Sequence, residues 1–195
     1  MITPPVLFFR VMLSFQAPGA RKFARTVCLT RGAVHAGAEH WGYGVGRMDA
    51  ATRAEFQVAG DWAMARRHRI RWIQCDIYAH INHAAYLTMF EDMRIDWWLA
   101  SGGRFGADAE GPVVASLEAK YLRPGHFNED VLLTVRAVSF RRSSFIHEYG
   151  LWRDGLLCSA RAVCVIVNNA TGAKAPISPA LRDLMLSRDG AVQEG

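Results

Sequence analysis

A carboxylate, two imidazoles and an amide fall within eight residues near the middle of the chain: Asp76, His80, Asn82 and His83. An apolar pattern of helical period begins directly after them, at Tyr86. The start of a helix presents unpaired backbone N–H groups and a partial positive charge, which suit an oxygen that becomes negative during a reaction. The spacing therefore predicts a reactive turn in which Asp76 acts as a general base or as a nucleophile.

The residues around this turn indicate the elements that must position it. The stretch from Arg71 to Trp98 predicts a short strand, the polar turn and a long helix over 84–100, which ends at Ser101-Gly102-Gly103. Alternating or apolar runs bounded by turn residues predict later strands over 113–121, 131–138, 145–152 and 156–167, and a last helix over 179–186. One long helix followed by antiparallel strands predicts an α+β architecture in which the sheet wraps the helix.

The order of several motifs resembles that of the 4-hydroxybenzoyl-CoA thioesterase-like acyl-CoA thioesterases, a family with the hotdog fold. The motifs are Asp76, His80-Ile81-Asn82-His83, Tyr86-Leu87, Glu91-Asp92-Met93-Arg94, and then AKYLRPGHFNEDVLLTV and RRSSFIHEYGLW. The resemblance covers residues 67–185. It implies an antiparallel sheet wrapped around one long central helix. It also implies hydrolysis of an acyl-CoA thioester to a free acid and coenzyme A, without a metal or a bound cofactor.

The resemblance also implies a role for each candidate residue. Asp76 is the expected base or nucleophile, and His83 is expected to assist through its imidazole or its backbone N–H. The supporting residues of the site are expected to be His80, Asn82, Tyr86 and Glu91. Candidates for coenzyme A binding are Lys120, Arg123, Arg141, Arg142, Ser143 and Ser144. Each has an ordinary structural alternative, such as a turn or cap for the Asp and Asn residues and surface ion pairs for the charged ones.

Two other classes of function on the same fold compete with a thioesterase, and a zinc site is a further alternative for the residues of the turn. A non-catalytic acyl-CoA binding module would keep the fold but tolerate loss of Asp76. Enoyl-thioester hydratases and dehydratases of this fold usually carry the motif Asp-x-Asn-Pro-x-His. That motif is absent from this sequence. A zinc site built on Cys75, His80 and His83 lacks a fourth ligand at a usual spacing.

The excess of basic over acidic residues is confined to the beginning of the chain. The net charge is +5, and residues 1–38 contain five basic residues and no acidic one. The remaining 18 basic residues balance the 18 acidic residues, so the composition argues against nucleic-acid binding. The four cysteines form no CxxC pair, which indicates reduced thiols.

The composition divides the chain into three parts. The composition of residues 1–66 predicts an N-terminal extension that is poorly ordered or that results from a mis-assigned start codon. In the second case Met48 or Met64 would be the first residue. Residues 67–187 predict the hotdog domain, and residues 188–195 a flexible tail. We expect a cytoplasmic protein, or a mitochondrial matrix protein if residues 1–38 are a transit peptide. The apolar run at Val6–Phe15 is too short to span a membrane.

An exposed sheet edge in such a domain favours a homodimer or homotetramer. The residues do not distinguish these two states, nor a short, long or aromatic acyl group.

Overall fold

Within residues 46–195, which are the residues that the computed structural model describes, six strands form one sheet behind a long helix. The elements are α1 Ala50–Glu55, β1 Met64–Arg69, α2 His83–Ala100, β2 Glu110–Tyr121, β3 Asp130–Phe140, β4 Ser144–Trp152, β5 Leu156–Asn168, α3 Pro179–Leu184 and β6 Val192–Gln193. The strands lie in the order β1-β3-β4-β5-β2, all antiparallel, and β6 pairs in parallel with β3. This arrangement confirms the predicted α+β architecture.

Helix α2 forms where the sequence predicts it. Asn82 caps its start, since the Asn82 Oδ1 accepts a hydrogen bond from the Ala84 N–H at 2.9 Å. The helix ends at Ser101, and Gly102 follows with a φ of 79°, a conformation that glycine adopts without strain. Phe90, Met93 and Trp97 are fully buried, so the apolar face predicted for the helix is confirmed. Burying each such side chain contributes about 1.5–3 kcal/mol.

The segment before the reactive turn corrects the prediction of a strand beginning at Arg71. The first strand lies earlier, at β1 Met64–Arg69, and Trp72–Gln74 form a 3₁₀ turn. The side chain of Gln74 accepts the Arg71 N–H at 2.9 Å and holds this turn closed. The apolar residues Trp72 and Ile73 are exposed and lie in this turn. Their apolar character is typical of a strand, which is why the sequence predicted one here.

The residues that precede β1 pack on a hydrophobic cluster of their own. Asp49 caps α1, and the chain then buries Phe56 and Val58 together with Leu132 and Trp152 of the sheet. The described part of the extension predicted over residues 1–66 is therefore packed against the sheet, and β1 begins three residues before the predicted boundary at 67. Residues 1–45, which carry the transit-peptide interpretation, lie outside the described residues.

The chain end is packed as well, in contrast to the flexible tail predicted over 188–195. Asp189 has a fully buried side chain whose Oδ2 accepts the Trp97 indole N–H at 2.7 Å and the Ala137 backbone N–H at 2.8 Å. Val192–Gln193 then pairs with β3. The polar composition of this segment predicted a solvent-exposed tail. Its partners Trp97 and Ala137 lie far away in the sequence, so the local sequence did not reveal these contacts.

The described cysteines and helices complete this picture. Cys158 and Cys164 are buried free thiols, and burial raises their pKa to about 12 and about 11. Cys75 is half-buried, and Cys28 lies outside the described residues.

In the part of the chain that the structure describes, no helix combines the length and the apolar character needed to cross a membrane.

Candidate active site

Asp76 lies in a tight turn that its own carboxylate closes. The Asp76 Oδ1 accepts the backbone N–H of Tyr78 at 2.9 Å and that of His80 at 3.2 Å, and the Asp76 N–H donates to the His80 carbonyl at 2.8 Å. Ala79 completes the turn with a φ of 61°, a left-handed conformation that costs about 1–2 kcal/mol for a residue with a Cβ. Among residues 46–195 no group donates to the other carboxylate oxygen, Oδ2. One oxygen of Asp76 is thus fixed, and the other can meet a substrate or a water.

The start of helix α2 lies directly beyond this turn. Asn82 acts as the helix cap, and His83 is the first helical residue with an exposed side chain. No described residue accepts the backbone N–H of His83. This N–H therefore points out of the helix as an available donor, with the positive end of the helix dipole behind it. Such a donor can stabilise negative charge on a carbonyl oxygen.

Tyr86 lies on the buried side of the first turn of α2. It is buried and contacts the Tyr121 ring edge-on at a centroid distance of 5.2 Å. Burial raises the pKa of Tyr86 to about 12, and a hydrogen bond with the Gly125 backbone opposes this rise. Gly125 in turn accepts the Ile81 N–H at 2.8 Å. Tyr86 thus joins the helix to the loop before β3 rather than offering a reactive hydroxyl.

Glu91 lies farther along the helix, about 12 Å from His83 by the rise of an α-helix. Its carboxylate accepts a hydrogen bond from Arg94 at 3.1 Å. The Arg94 side chain is only 12% exposed, and it faces the buried Tyr149 and His147. The structure therefore places Glu91 in an ion pair outside the Asp76 turn.

Lys120 and Arg123 were predicted to bind coenzyme A, and in the structure both side chains contact other parts of the protein. Tyr121 contacts helix α2, so its neighbour Lys120 points to the opposite face of the sheet, where it lies 3.5 Å from Glu118. Arg123 donates to the carbonyls of Arg153 and Asp154, both at 2.9 Å, and so holds the β4–β5 hairpin.

The other four predicted coenzyme A ligands, residues 141–144, form the turn between β3 and β4. Arg141 pairs with Glu194 at 3.0 Å, and Arg142, Ser143 and Ser144 are partly or fully exposed. Strand β3 starts beside the Asp76 turn and ends at these residues, and its 11 residues span roughly 33 Å. Within one protomer, residues 141–144 are therefore not brought together with Asp76.

Several residues of the site were not predicted. Gly125, His126 and Glu129 lie against the Asp76 turn, since His80 pairs with His126 and their rings are 5.2 Å apart. The sequence presented Pro124 to Asp130 only as a break between strands. A histidine and a glutamate three residues apart were the available signal.

Exposed apolar side chains surround the turn. Trp72, Ile73, Ile77 and Tyr78 are 69%, 89%, 92% and 73% exposed, and Trp72 packs edge-on against Phe127 at 5.7 Å. Ile77 and Tyr78 belong to the Asp76 turn itself. The carboxylate thus lies at an apolar surface, which suits an apolar group of a substrate or the surface of a partner subunit.

No metal cluster stands out in the described part of the chain. Across residues 46–195, no three His, Cys, Asp or Glu side chains are grouped so that they could share a metal ion.

Comparisons with known proteins identify the family and the fold of the chain. Residues 70–184 match the model of the thioesterase-like superfamily. A thioesterase-superfamily structure from Jannaschia sp. CCS1 is 27% identical, with a TM-score of 0.69, over 75% of this chain and 96% of that one. A thioesterase from Thermus thermophilus, complexed with coenzyme A and Zn, is also 27% identical, with a TM-score of 0.57, over 66% of this chain and 96% of that one. No curated protein matches significantly.

A more distant structure shares the fold alone. It is a 1,4-dihydroxy-2-naphthoyl-CoA thioesterase from Synechocystis, 13% identical, with a TM-score of 0.56 over 64% of this chain and 96% of that one. The family match covers more than half of the chain. The chain therefore belongs to the thioesterase-like superfamily and has the hotdog fold that the sequence predicted.

Proposed function

We propose that this protein is an acyl-CoA thioesterase of the 4-hydroxybenzoyl-CoA thioesterase-like branch. The observation that carries the proposal is the Asp76 carboxylate, which has one oxygen fixed by two backbone N–H groups and the other open at the start of helix α2. A carboxylate that served only to close the turn would not need this position beside the exposed helix N-terminus.

The chemistry needs a nucleophile or base and a donor for the oxyanion. Asp76 Oδ2 attacks the thioester carbonyl or takes a proton from the attacking water. The backbone N–H of His83 donates to the carbonyl oxygen as this oxygen becomes negative. Asn82 and Tyr86 hold the helix start in place, and His80 fixes Asp76 through its backbone.

The relatives support the substrate class. One thioesterase at 27% identity is complexed with coenzyme A. The apolar side chains around Asp76 suit the acyl part of such a substrate. Charge balance outside residues 1–38 disfavours a nucleic acid as the ligand.

A homo-oligomer would complete the site. Strand β2 is an edge of the sheet and exposes Val113 and Val114, so it offers both backbone groups and apolar surface to a second copy. Residues 141–144 lie at the end of the sheet away from Asp76. A neighbour of antiparallel orientation would bring its own residues 141–144 toward the Asp76 turn. We propose that coenzyme A binds between the Asp76 turn of one subunit and residues 141–144 of another.

A binding module that lacks catalysis is the second candidate, because the two backbone hydrogen bonds of Asp76 are also those of an ordinary Asx turn. Thiol release from a panel of short-chain, long-chain and aromatic acyl-CoAs separates the two. Asp76→Asn keeps the acceptor Oδ1 and removes the charge, so we expect an intact fold and a rate at least about a hundredfold lower.

Asp183→Asn is the matched control, since Asp183 is an exposed carboxylate on α3. We expect it to retain the parental rate. Binding of acyl-CoA without turnover by the parent would instead favour the binding module.

A further inference from the structure

Three short backbone segments pair side by side at the site. Cys75 pairs with Ile81, the Asp76 N–H donates to the His80 carbonyl at 2.8 Å, and His80 pairs with His126 in antiparallel orientation. Residues that lie directly opposite each other in antiparallel pairing place their side chains on the same face. Asp76, His80 and His126 therefore form a row on one face. Because neighbouring segments lie about 4.8 Å apart, the outer two are about 10 Å apart at the backbone, with the exposed His80 between them, so a reacting group that meets both would lie over the exposed surface of this row.

The approach of the third segment depends on Gly125. A Cβ at this position would lie 2.5 Å from the Ile81 Cδ1, so a larger residue would require the Ile81 side chain to shift. The missing side chain allows the Gly125 carbonyl to accept the Ile81 N–H at 2.8 Å. His126 is thereby held next to His80.

A carboxylate orients the His126 ring. Glu129 Oε1 lies 3.2 Å from His126 Nδ1, and Glu129 Oε2 accepts the His126 backbone N–H at 2.9 Å. Arg153 donates to the same carboxylate, whose side chain is only 15% exposed, whereas the His126 side chain is 47% exposed. Nδ1 thus faces a fixed carboxylate, which leaves Nε2 as the nitrogen available at the surface. A carboxylate that fixes the tautomer of a histidine is the arrangement by which histidine bases are oriented.

The other described histidines lack such a partner. His68 contacts the Gln74 amide at 2.9 Å, and His147 is fully buried with its Nδ1 on the Tyr149 hydroxyl. Within residues 46–195, no carboxylate lies within hydrogen-bond distance of the His80 or His83 ring. Among the described histidines, the combination of an orienting carboxylate and an exposed ring in the row of Asp76 belongs to His126.

We propose that His126, oriented by Glu129, is a second catalytic residue that accepts the proton of the hydrolytic water. This inference rests on the proposed thioesterase function and assigns the nucleophilic role to Asp76. In the first step, Asp76 Oδ2 forms a bond to the thioester carbonyl carbon and the C–S bond breaks. The electron pair leaves on the coenzyme A sulfur, which takes a proton from solvent.

The second step releases the acid. A water oxygen attacks the acyl carbon of the resulting mixed anhydride and gives its proton to His126 Nε2. The bond between the acyl carbon and Asp76 breaks, the electron pair returns to the Asp76 carboxylate, and His126 then passes the proton to solvent. Glu129 is a positioning residue in this scheme, because it acts through His126.

Rapid-mixing measurements of thiol release from an acyl-CoA that the parent hydrolyses test the proposal. His126→Ala should still release about one thiol per site in a burst, since the first step does not use His126, and should then turn over on the order of a hundredfold more slowly. Added imidazole should accelerate this slow phase but leave Asp76→Asn unchanged. Glu129→Gln should also keep the burst and slow only the second phase, with KM little changed.

His126→Phe provides a second variant, since it retains a ring beside His80 but no base. It should behave as His126→Ala does, without a response to imidazole. The parental turnover rate in His126→Ala would overturn the proposal. So would joint loss of burst and turnover with no imidazole effect, which would indicate a structural role. Failure of the parent to hydrolyse any acyl-CoA would instead remove the proposed function itself.

Discussion

The indole N–H of Trp97 donates to Asp189 Oδ2 at 2.7 Å, so the last turn of the long helix is tied to the end of the chain. The same oxygen accepts the Ala137 N–H of β3, next to the bulge in the pairing of β3 with β4, and Arg188 binds the other oxygen. Arg188 also lies over the Trp97 ring at 5.1 Å. One buried carboxylate thus joins α2, β3 and the C-terminal segment, although nothing in the local sequence marks it.

The first prediction concerns this carboxylate. Asp189→Ala leaves two buried N–H donors without an acceptor, so the free energy of unfolding should fall by about 2–4 kcal/mol. Urea denaturation measures the change. Asp183→Ala on the exposed side of α3 should stay within about 0.5 kcal/mol of the parent. Equal stability of the two variants would show that the Asp189 contacts contribute nothing.

The second prediction concerns the contact of Gly125 with Ile81. Gly125→Ala places a Cβ 2.5 Å from the Ile81 Cδ1 and should destabilise the fold by about 1–3 kcal/mol. Ile81→Val removes that Cδ1, so the double variant should recover part of the loss. A double-mutant cycle from urea denaturation gives the coupling energy. Gly106→Ala, whose Cβ would meet its nearest neighbour at an ordinary 3.8 Å, is the control. Simple additivity at Gly125 and Ile81 would contradict the clash.

The sequence predicted the elements with strong local signals. Asn82 and Ser178 are residues of types that commonly cap helices and do so here, and Asp154 and Gly155 make the hairpin turn with φ values of 49° and 97°. Helix α2 was predicted to within one residue because its apolar period, its cap and its glycine stop all agree. These features depend on residues a few positions apart, which a single sequence displays.

Contacts between distant residues were the part that the sequence could not predict. The positive charge of Arg123 suits a phosphate as well as backbone carbonyls, so the sequence did not show which of them it binds. In the structure it donates to the carbonyls of the hairpin. Trp72 and Ile73 had the composition of a strand but no partner. His126 joined the site through pairing with His80, 46 positions earlier, and that pairing depends on a glycine whose reason is visible only in three dimensions.

The third prediction concerns stability at high pH. Burial raises the pKa of Tyr86 from an ordinary 10.0 to about 12, so between these values the folded state binds more protons than the unfolded state. The contribution of Tyr86 to stability is therefore complete below pH 10 and is lost as the pH rises through 12. Cys158 and Cys164 act in the same direction, since burial raises each thiol pKa from 9.0.

Tyr86→Phe should accordingly lose less stability than the parent between pH 9 and pH 11, although its stability at neutral pH is lower because the hydroxyl bond with Gly125 is gone. Urea denaturation at fixed pH steps gives the slope. Tyr78→Phe, at an exposed ring, should keep the parental slope. A parental slope in Tyr86→Phe would assign the alkaline loss to the buried thiols instead.

The fourth prediction concerns the subunits. If coenzyme A binds between the Asp76 turn of one subunit and residues 141–144 of another, Arg142→Ala should raise KM, whereas Asp76→Asn should abolish turnover. In a random mixture of the two variants, about half of the dimers are heterodimers. Each heterodimer has one native site, made of Asp76 from one subunit and Arg142 from the other. The mixture should therefore regain about one quarter of the parental number of sites. Thiol release at an acyl-CoA concentration well below the KM of Arg142→Ala measures this gain, with Arg182→Ala in place of Arg142→Ala as the control for mixing. Activity of the mixture equal to the mean of the separate variants would place both residues in the same subunit's site, or Arg142 in none, because only a shared interface produces a site that neither variant contains alone.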